Sequence, residues 1–401
     1  NTLFDSELER KFIEALSRSS KADRKIQVTQ QMVNGKPGYL LKIGERSWEV
    51  EPQVNLGKDQ NVDVSCKPDF VLWPIRNTES LIKPVAIFTD GYMYHKDIID
   101  SDMVKRMAIL NSGKFYVWSL TWKDIEDVFN SQGSYYTNYL NPDRLPLGSK
   151  FTGMINGFGI SSLKINEKTS FEFLLDYLLN PNKAEDFIKL TFVYTICMLN
   201  MNSAKDKAIF ENWKQDLEIK ARINGLVDCY NSNVATLCGQ SLTEFLEIDT
   251  CITMESMKNK LFDTPLVVAT LDDTEEHRDE DFEKHWNGFL NAYNLFQFNP
   301  VSLFMTKKGI QTRMYDSIIS NFVEKKDNYE QNNSTFDKAW NDVIEICDES
   351  CTKLLKSLAN EHISCPGEES VGHELINDEE EVIGMAEIVW EEKKVAIITM
   401  D

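Results

Sequence analysis

Three stretches between residues 66 and 122 decide the fold: CKPDFVLWP (66–74), KPVAIFTDGYMYHKD (83–97) and DMVKRMAILNSGKFYVWSLTW (102–122). The second stretch contains the uninterrupted apolar run VAIF, which is typical of a central strand buried on both faces. Helical spacing over Asp97–Asn111 ends at Ser112-Gly113, and another strand is predicted over Phe115–Leu120. The order strand, strand, helix, strand predicts an α/β domain with a mixed sheet.

The segment before these strands predicts one helix and a β-meander. Apolar residues at helical spacing over residues 4–18 indicate an amphipathic helix. Three short runs of β character follow, separated by turn-forming residues: Lys25–Gln31, Gly38–Ile43 and Ser47–Gln53. The strands predicted at Asp69–Trp73 and Pro84–Thr89 extend this meander, and a helix over Trp122–Phe129 closes the domain.

The chain after residue 150 differs from the preceding part in charge. The whole sequence carries a net charge of −21, yet residues 1–150 contain 20 acidic and 20 basic side chains. Residues 151–401 contain 44 acidic and 23 basic side chains, so the whole excess of negative charge lies there. The first part can still present a basic face to phosphates, whereas the remainder would repel them. We therefore place a domain boundary near residue 150.

Helical spacing dominates this second part, and no internal repeat of fixed period is evident. The predicted helices are Phe171–Leu179, Ala184–Met201, Lys205–Arg222, Thr250–Phe262 and Glu280–Leu295, with one strand at Leu266–Leu271. A linker (Glu324–Thr335), one long helix (Phe336–Leu358), an acidic loop (Gly367–Glu381) and a hairpin (Val382–Val389 with Lys393–Thr399) complete the chain. We expect three domains: residues 1–150, a mainly helical domain at 151–323, and a helix with a hairpin at 336–401.

Composition excludes several classes of protein. The longest apolar stretches, Leu190–Leu199 and Pro265–Leu271, are shorter than the roughly 20 residues that span a bilayer. No basic segment followed by an apolar segment opens the chain, so a secretory signal is not indicated. Its 8 cysteines include no CxxC pair, which favours reduced thiols. We expect a soluble cytoplasmic protein that does not bind membranes, and the missing initiator Met indicates a fragment or processed chain.

Two carboxylates and an imidazole lie close to the ends of the predicted strands. Asp69 opens one strand, Asp90 lies at the C-terminal end of the next, and His95 follows five residues later. Carboxylates at the ends of adjacent strands can converge on a hard cation such as Mg²⁺, and an imidazole beside them can move a proton. Lys105 and Arg106, on the following helix, are candidates for contacts with phosphates.

The PDF triplet at 68–70, the strand ending FTDGYMYH, the helix with KR and the strand GKFYVWSL resemble one nuclease family. It is the very-short-patch-repair (Vsr-like) branch of the PD-(D/E)XK restriction-endonuclease superfamily, and the resemblance covers about residues 5–130. It implies Asp69 as the principal ligand of Mg²⁺ or Mn²⁺, the Thr89 carbonyl as a second ligand, and His95 as a general base or water-positioning residue. Asp90 stands where the family often has histidine and is an additional candidate ligand; Glu9 of the first helix would complete the catalytic site.

The resemblance implies an α/β fold with a restriction-endonuclease-like mixed sheet flanked by helices. The sequence pattern adds a mainly helical acidic region with a small terminal α/β element. The superfamily's usual Glu-x-Lys pair is missing, since Phe88 and Asp90 occupy those places. Two hypotheses follow. The first is a metal-dependent DNA endonuclease of a phage-defence or DNA-repair assembly. The alternative is a catalytically degenerate nuclease fold that binds DNA or a protein.

A second, fainter resemblance concerns the rest of the chain. Residues 150–401 resemble the C-terminal regions of large anti-phage helicase proteins, in which nuclease-like domains are appended. This resemblance implies a helicase or another defence-system protein as a partner, besides DNA. The 401 residues contain no helicase motor motif, so an ATP-driven activity would belong to such a partner or to a missing part.

Overall fold

A computed structural model describes residues 6–75, 82–130, 140–163, 168–199, 236–242, 245–274, 282–319, 340, 342–360, 363, 365–376, 382–390 and 393–398. The chain divides into two units, Asn1–Ser320 and Asn321–Asp401. The domains predicted at 1–150 and 151–323 both fall almost entirely within the first unit. In the described parts of the chain, no helix is long and apolar enough to cross a bilayer.

In the described residues of the first unit we name ten α-helices and ten strands. The helices are α1 (Glu7–Arg18), α2 (Tyr92–His95), α3 (Ile99–Asn111), α4 (Trp122–Asn130), α5 (Phe151–Gly157), α6 (Ser170–Leu179), α7 (Ala184–Met198), α8 (Met254–Asn259), α9 (Phe282–Phe296) and α10 (Lys307–Gln311). The strands are β1 (Ile26–Val33), β2 (Lys36–Ile43), β3 (Arg46–Pro52), β4 (Phe70–Pro74), β5 (Val85–Asp90), β6 (Tyr116–Thr121), β7 (Thr236–Leu242), β8 (Leu246–Thr253), β9 (Leu266–Leu271) and β10 (Ser302–Thr306).

Strands β1 to β6 form a mixed sheet in sequence order. Neighbouring strands are antiparallel from β1 to β5, and α3 then joins β5 to β6 as a parallel pair. The VAIF run suits β5 to an interior position in the sheet, because Val85, Ala86 and Ile87 are completely buried. Helix α1 packs against β1, β5 and α4. The predicted α/β fold with a mixed sheet flanked by helices is confirmed.

A second sheet, of four strands in the order β10-β9-β8-β7, lies in the region predicted to be mainly helical. The strand predicted at Leu266–Leu271 is confirmed as β9. The helix predicted over Thr250–Phe262 is wrong in its first part, because β8 continues to Thr253 and only α8 is helical. Strand β8 is buried on both faces over most of its length, so it lacks the alternation that identifies a half-exposed strand. The helix predicted at Lys205–Arg222 lies outside the described residues.

The two sheets share helices. Helix α9 packs against β6 of the first sheet and against β9 of the second, while α3 packs against β6 and against β10. The aromatic rings of Trp118, Tyr177, Phe187 and Phe298 form one buried cluster beneath β6. The core of the first unit therefore continues from the N-terminal sheet into the segment after residue 150.

The second unit contains helix α11 (Thr352–Asn360) and an antiparallel sheet of β11 (Val371–Ile376), β12 (Val382–Trp390) and β13 (Val395–Ile397). The predicted terminal hairpin corresponds to β12 and β13, but β11 adds a strand in the predicted acidic loop. The single long helix predicted at Phe336–Leu358 is wrong, because the helix is interrupted around Asp348, whose carboxylate accepts a hydrogen bond from the Ser350 N–H. The predicted linker lies outside the described residues.

Candidate functional site

Three chain segments meet at the end of the six-stranded sheet where β5 and β6 terminate. Strand β4 is antiparallel to β5, so the start of β4 lies toward the end of β5, and the end of the parallel strand β6 lies on the other side of β5. Asp69 immediately precedes β4, Asp90 ends β5, and Thr121, which pairs with Asp90, ends β6. The sheet topology therefore places Asp69 and Asp90 at the same end of the sheet, as the sequence predicts.

Asp69 is held against the end of β5 by two hydrogen bonds. Its Oδ2 accepts one from the Thr89 N–H at 2.6 Å and one from the Thr89 hydroxyl at 2.8 Å. In a strand, the N–H and C=O of one residue point to the same side, so the Thr89 carbonyl faces the side of Asp69. Burial raises the pKa of Asp69 to about 6 although the two hydrogen bonds from Thr89 lower it. The nearby carboxylates of Glu9 and Asp90 contribute to the rise.

Glu9 is buried on α1 and joins this group through Gln53. The Gln53 side-chain amide donates to Glu9 Oε2 at 3.0 Å, and the Gln53 N–H donates to the Asp69 carbonyl at 2.8 Å. Gln53 has the left-handed φ of 54°, and its two donors reach α1 and the residue before β4. Glu9, Asp69 and Asp90 thus form a carboxylate cluster, and Gln53 is a member of the site that the sequence pattern does not reveal.

Asp90 is 1% exposed and pairs with Arg106. Its Oδ1 accepts a hydrogen bond from the Arg106 guanidinium, whereas Oδ2 is buried without a hydrogen-bond partner among the described residues. Arg106 is only 3% exposed, donates through Nε to the Ser119 hydroxyl at 2.8 Å, and lies over the Phe88 ring. The predicted contact of Arg106 with DNA phosphate is therefore wrong, since the guanidinium is buried and neutralises Asp90.

His95 lies on α2, between Asp90 and Asp102. Its Nδ1 is 2.6 Å from Asp102 Oδ2, and its Nε2 is 3.7 Å from Asp90 Oδ1. Burial lowers the pKa of His95, but the hydrogen bond with Asp102 and the charge of Asp90 outweigh burial, so the pKa is raised. The ring of Trp286, on α9, stacks against the imidazole with 6.4 Å between centroids. His95 is thus oriented through Nδ1 while Nε2 faces the carboxylate cluster.

Asp102 is a second residue that the sequence pattern does not single out. Its Oδ1 accepts a hydrogen bond from Lys105 Nζ at 3.0 Å, in addition to the contact with His95. Burial raises the pKa of Asp102, but the His95 hydrogen bond, Arg106 and Lys105 together lower it to about 2. The sequence feature that points to Asp102 is its position in the first turn of α3, the helix that follows His95. Lys105 is partly exposed and lies at the rim of the site, where the sequence places a contact with phosphate.

The oxygen atoms near Asp69 are of the chemical type that a hard divalent cation prefers. Within the described residues, no group of three or more His, Cys, Asp or Glu side chains is arranged to hold a metal ion. Mg²⁺ does not require such a cage, because it commonly keeps several waters and binds one or two carboxylates together with substrate phosphates. Asp69, the Thr89 carbonyl and the buried Oδ2 of Asp90, which has no hydrogen-bond partner among the described residues, are oxygen ligands of this type.

No protein-family model, no curated protein and no solved structure matches this chain. The nuclease resemblance therefore stays a prediction.

Proposed function

We propose that this chain hydrolyses phosphodiester bonds of DNA with Mg²⁺ or Mn²⁺ at the site formed by Asp69, Asp90 and His95. The observation that carries the proposal is that four residues far apart in sequence converge at one end of the sheet. They are Glu9, Asp69, Asp90 and His95. We further propose that it acts in the cytoplasm within a phage-defence or DNA-repair assembly, with a helicase or another defence protein as its partner.

Each residue has a role that follows from its surroundings. Asp69, Asp90 Oδ2 and the Thr89 carbonyl would hold the cation, with Glu9 adding negative charge to the group. When bound, the ion would supply positive charge that stabilises the phosphodiester transition state. His95 would accept a proton at Nε2 from the attacking water, because Asp102 fixes Nδ1 and stabilises the imidazolium that forms.

One observation favours the alternative, a degenerate nuclease fold that binds DNA or a protein. The guanidinium of Arg106 neutralises Asp90 inside the carboxylate cluster and so reduces the attraction of the site for a cation. A binding module of this kind would retain DNA at low salt and release it steeply as salt rises, but would not cut it. A protein-binding scaffold would show no affinity for DNA even at low salt.

The test is incubation of the chain with single- and double-stranded DNA in Mg²⁺, Mn²⁺ or EDTA. We expect cleavage only with the cations, and we expect Asp69→Asn to abolish it, because that substitution removes a formal charge from the cation site at nearly constant volume. Asp59→Asn, at an exposed carboxylate, is the matched control and should cut normally. DNA binding without cleavage under every condition would favour the degenerate alternative.

Replacing the imidazole separates proton transfer from cation binding. His95→Ala should reduce the cleavage rate by roughly 10²–10⁴-fold, the usual contribution of a general acid or base. Calorimetric titration with Mn²⁺ should show nearly unchanged affinity in His95→Ala and a clear loss in Asp69→Asn. Equal loss of Mn²⁺ affinity in both variants would instead make His95 part of the cation site.

A further inference from the structure

Strands β1 and β2 form a two-stranded ribbon at the margin of the first sheet, with β1 as the edge strand. Residues 24–44, which include the whole ribbon, contain no acidic side chain, although the chain has 64 Asp and Glu residues. The same stretch contains the basic side chains of Arg24, Lys25, Lys36 and Lys42. The ribbon is therefore a positively charged element of an acidic protein.

One face of the ribbon is polar and lies open to solvent. Strand β1 contributes Gln27, Thr29 and Gln31 to this face, and β2 contributes Lys36 and Lys42, because Gln27 pairs with Lys42 and side chains alternate along each strand. Four of these five side chains are exposed, and Gln31 is half-buried. The face thus combines ammonium groups with amide and hydroxyl groups.

This polar face lies on the same side of the sheet as the side chain of Asp90. Directly paired residues of neighbouring strands point to one face, and so do residues two apart on a strand. The path along that face from Thr29 to Asp90 runs through Leu40, Glu49, Trp73, Val71 and Ala86. The strands alternate in direction from β1 to β5, so the turn between β1 and β2 also lies at the end of the sheet where β5 terminates.

The tip of the ribbon is anchored. Asn34 and Gly35 have positive φ angles of 48° and 77°, as the two-residue type I′ turn requires. The Asn34 amide donates to Glu51 Oε2 at 2.7 Å, and the Trp73 indole N–H donates to the same oxygen at 2.9 Å. Glu51 is only 6% exposed, so its carboxylate holds the turn and presents little charge to solvent.

We propose that the ribbon of β1 and β2 enters the major groove of duplex DNA beside the carboxylate cluster, an inference that rests on the proposed function for its choice of ligand. The major groove, about 12 Å wide, admits a two-stranded β-ribbon. Lys36 and Lys42 are about 20 Å apart at a rise of about 3.4 Å per residue, so they can reach phosphates on both sides of the groove. Thr29 and Gln31, between them, have the groups that bind base edges.

The spacing of the strands sets the place of this contact on the duplex. Neighbouring strands lie about 4.8 Å apart, which puts β2 and β1 about 14 and 19 Å from β5. At about 3.4 Å per base pair, the ribbon would bind about four to six base pairs from the bond that the site cuts. Glu49 of β3 is half-buried on the same face, so we expect contacts with phosphate from β1 and β2 but not from β3.

The test is a fluorescence-anisotropy titration of a labelled DNA duplex in EDTA at several salt concentrations. Lys36→Gln and Lys42→Gln should each weaken binding several-fold and reduce the slope of log K against log salt by about 0.9, the effect of one lost phosphate contact. Lys114→Gln is the matched control, because Lys114 is exposed just before β6, at the opposite end of the sheet. Double-stranded RNA of the same sequence should compete weakly, since its major groove is too narrow for side chains.

Cleavage assays of the same variants in Mg²⁺ separate the ribbon from the proposed function. Unchanged salt slopes in both lysine variants, or equal competition by double-stranded RNA, would overturn groove binding, while cleavage that only Asp69→Asn abolishes would still support hydrolysis. Reduced slopes without cleavage in any cation would support the ribbon and contradict hydrolysis. No affinity for DNA even at low salt would contradict both.

Discussion

Asp90 and Arg106 form a buried ion pair whose two charges depend on each other. Arg106→Met removes the guanidinium, leaves the Asp90 carboxylate uncompensated and deletes the hydrogen bond to Ser119. We expect the free energy of unfolding in urea to fall by about 3–5 kcal/mol, as for other broken buried pairs. Lys105→Met, at the adjacent, partly exposed lysine, should cost less than about 1 kcal/mol. Equal losses in the two variants would contradict the structural role assigned to the pair.

Asp69 links stability to pH in a definite direction. Its pKa is raised from 3.8 to about 6, so the folded state binds the proton more tightly than the unfolded state does. The stability that this proton confers is present below pH 4 and is lost as pH rises toward 6. Without metal, Asp69→Asn should therefore raise the free energy of unfolding at pH 7.5 by up to about 3 kcal/mol, at about 1.4 kcal/mol per pH unit.

The measurement is urea unfolding in EDTA at pH 3.5 and at pH 7.5. The gain in Asp69→Asn should be small at the lower pH, where the carboxyl is protonated in both states. Asp59→Asn, at an exposed carboxylate, serves as the control and should change little at either pH. An equal effect of Asp69→Asn at both pH values would show that lost or gained hydrogen bonds, rather than ionisation of the carboxyl, determine the result.

His95 and Asp102 together set the pH dependence of the proposed cleavage. A general base acts in its neutral form, so the rate should rise with pH through the raised pKa of His95. Asp102→Asn removes a negative charge and a charged hydrogen-bond acceptor, which should lower that pKa, move the rise to lower pH and reduce the maximal rate. The pH profile of kcat/KM measures both effects. A lower rate with an unmoved profile would assign Asp102 a purely structural role.

Strand β6, at the edge of the first sheet, is covered by two amide side chains of the α9 segment. Asn294 accepts from the Ser119 N–H at 2.9 Å and donates to the Ser119 carbonyl at 2.7 Å, while Gln297 accepts from the Val117 N–H at 2.7 Å. These contacts occupy backbone groups that a neighbouring strand would otherwise bind. The amides therefore protect the edge from pairing with another chain.

Asn294→Leu should leave the outward backbone groups of Ser119 without their amide partner. Each buried group that loses its hydrogen bond costs about 1–3 kcal/mol, so we expect the free energy of unfolding to fall by at least that amount. Hydrogen exchange at the Ser119 amide should accelerate relative to the centre of β5. Glu283→Gln, on the exposed first turn of α9, is the control; similar exchange in both variants would contradict the covering role.

The local sequence pattern is sufficient to predict those elements whose own residues have a clear apolar or turn-forming pattern. The VAIF run identifies β5, Asp69 and Asp90 are recognisable because they stand at strand ends, and His95 because it follows Asp90 closely in the sequence. Strand β8 was missed, since burial on both faces removes the alternation on which strand prediction depends. Sequence alone also does not distinguish a buried from an exposed cation, which is why Arg106 was misassigned to phosphate.

Charge is distributed unevenly over the whole molecule, and this bears on how DNA could approach. The carboxylate cluster lies within residues 1–150, whose acidic and basic side chains balance, whereas residues 151–401 carry the entire net charge of −21. The acidic part repels phosphates over a distance of about 8–10 Å at physiological salt. We therefore expect contacts with phosphate to come from basic side chains of residues 1–150, such as Lys105.

The first unit should fold as one body, and a chain that ends at residue 150 should not. Several core groups of the N-terminal sheet find their partners only later: the indole N–H of Trp48 donates to the Leu178 carbonyl, that of Trp118 donates to the Ser170 carbonyl, and the edge of β6 needs Asn294. A chain of residues 1–150 would expose these groups together with the aromatic surface beneath β6.

We expect residues 1–320 to unfold cooperatively on heating, as monitored by circular dichroism, with dispersed amide NMR signals. Residues 1–150 should instead aggregate or melt without a cooperative transition. A cooperative transition in the shorter chain would restore the domain boundary that charge distribution predicts near residue 150, because the later contacts would then only join two domains that are stable separately.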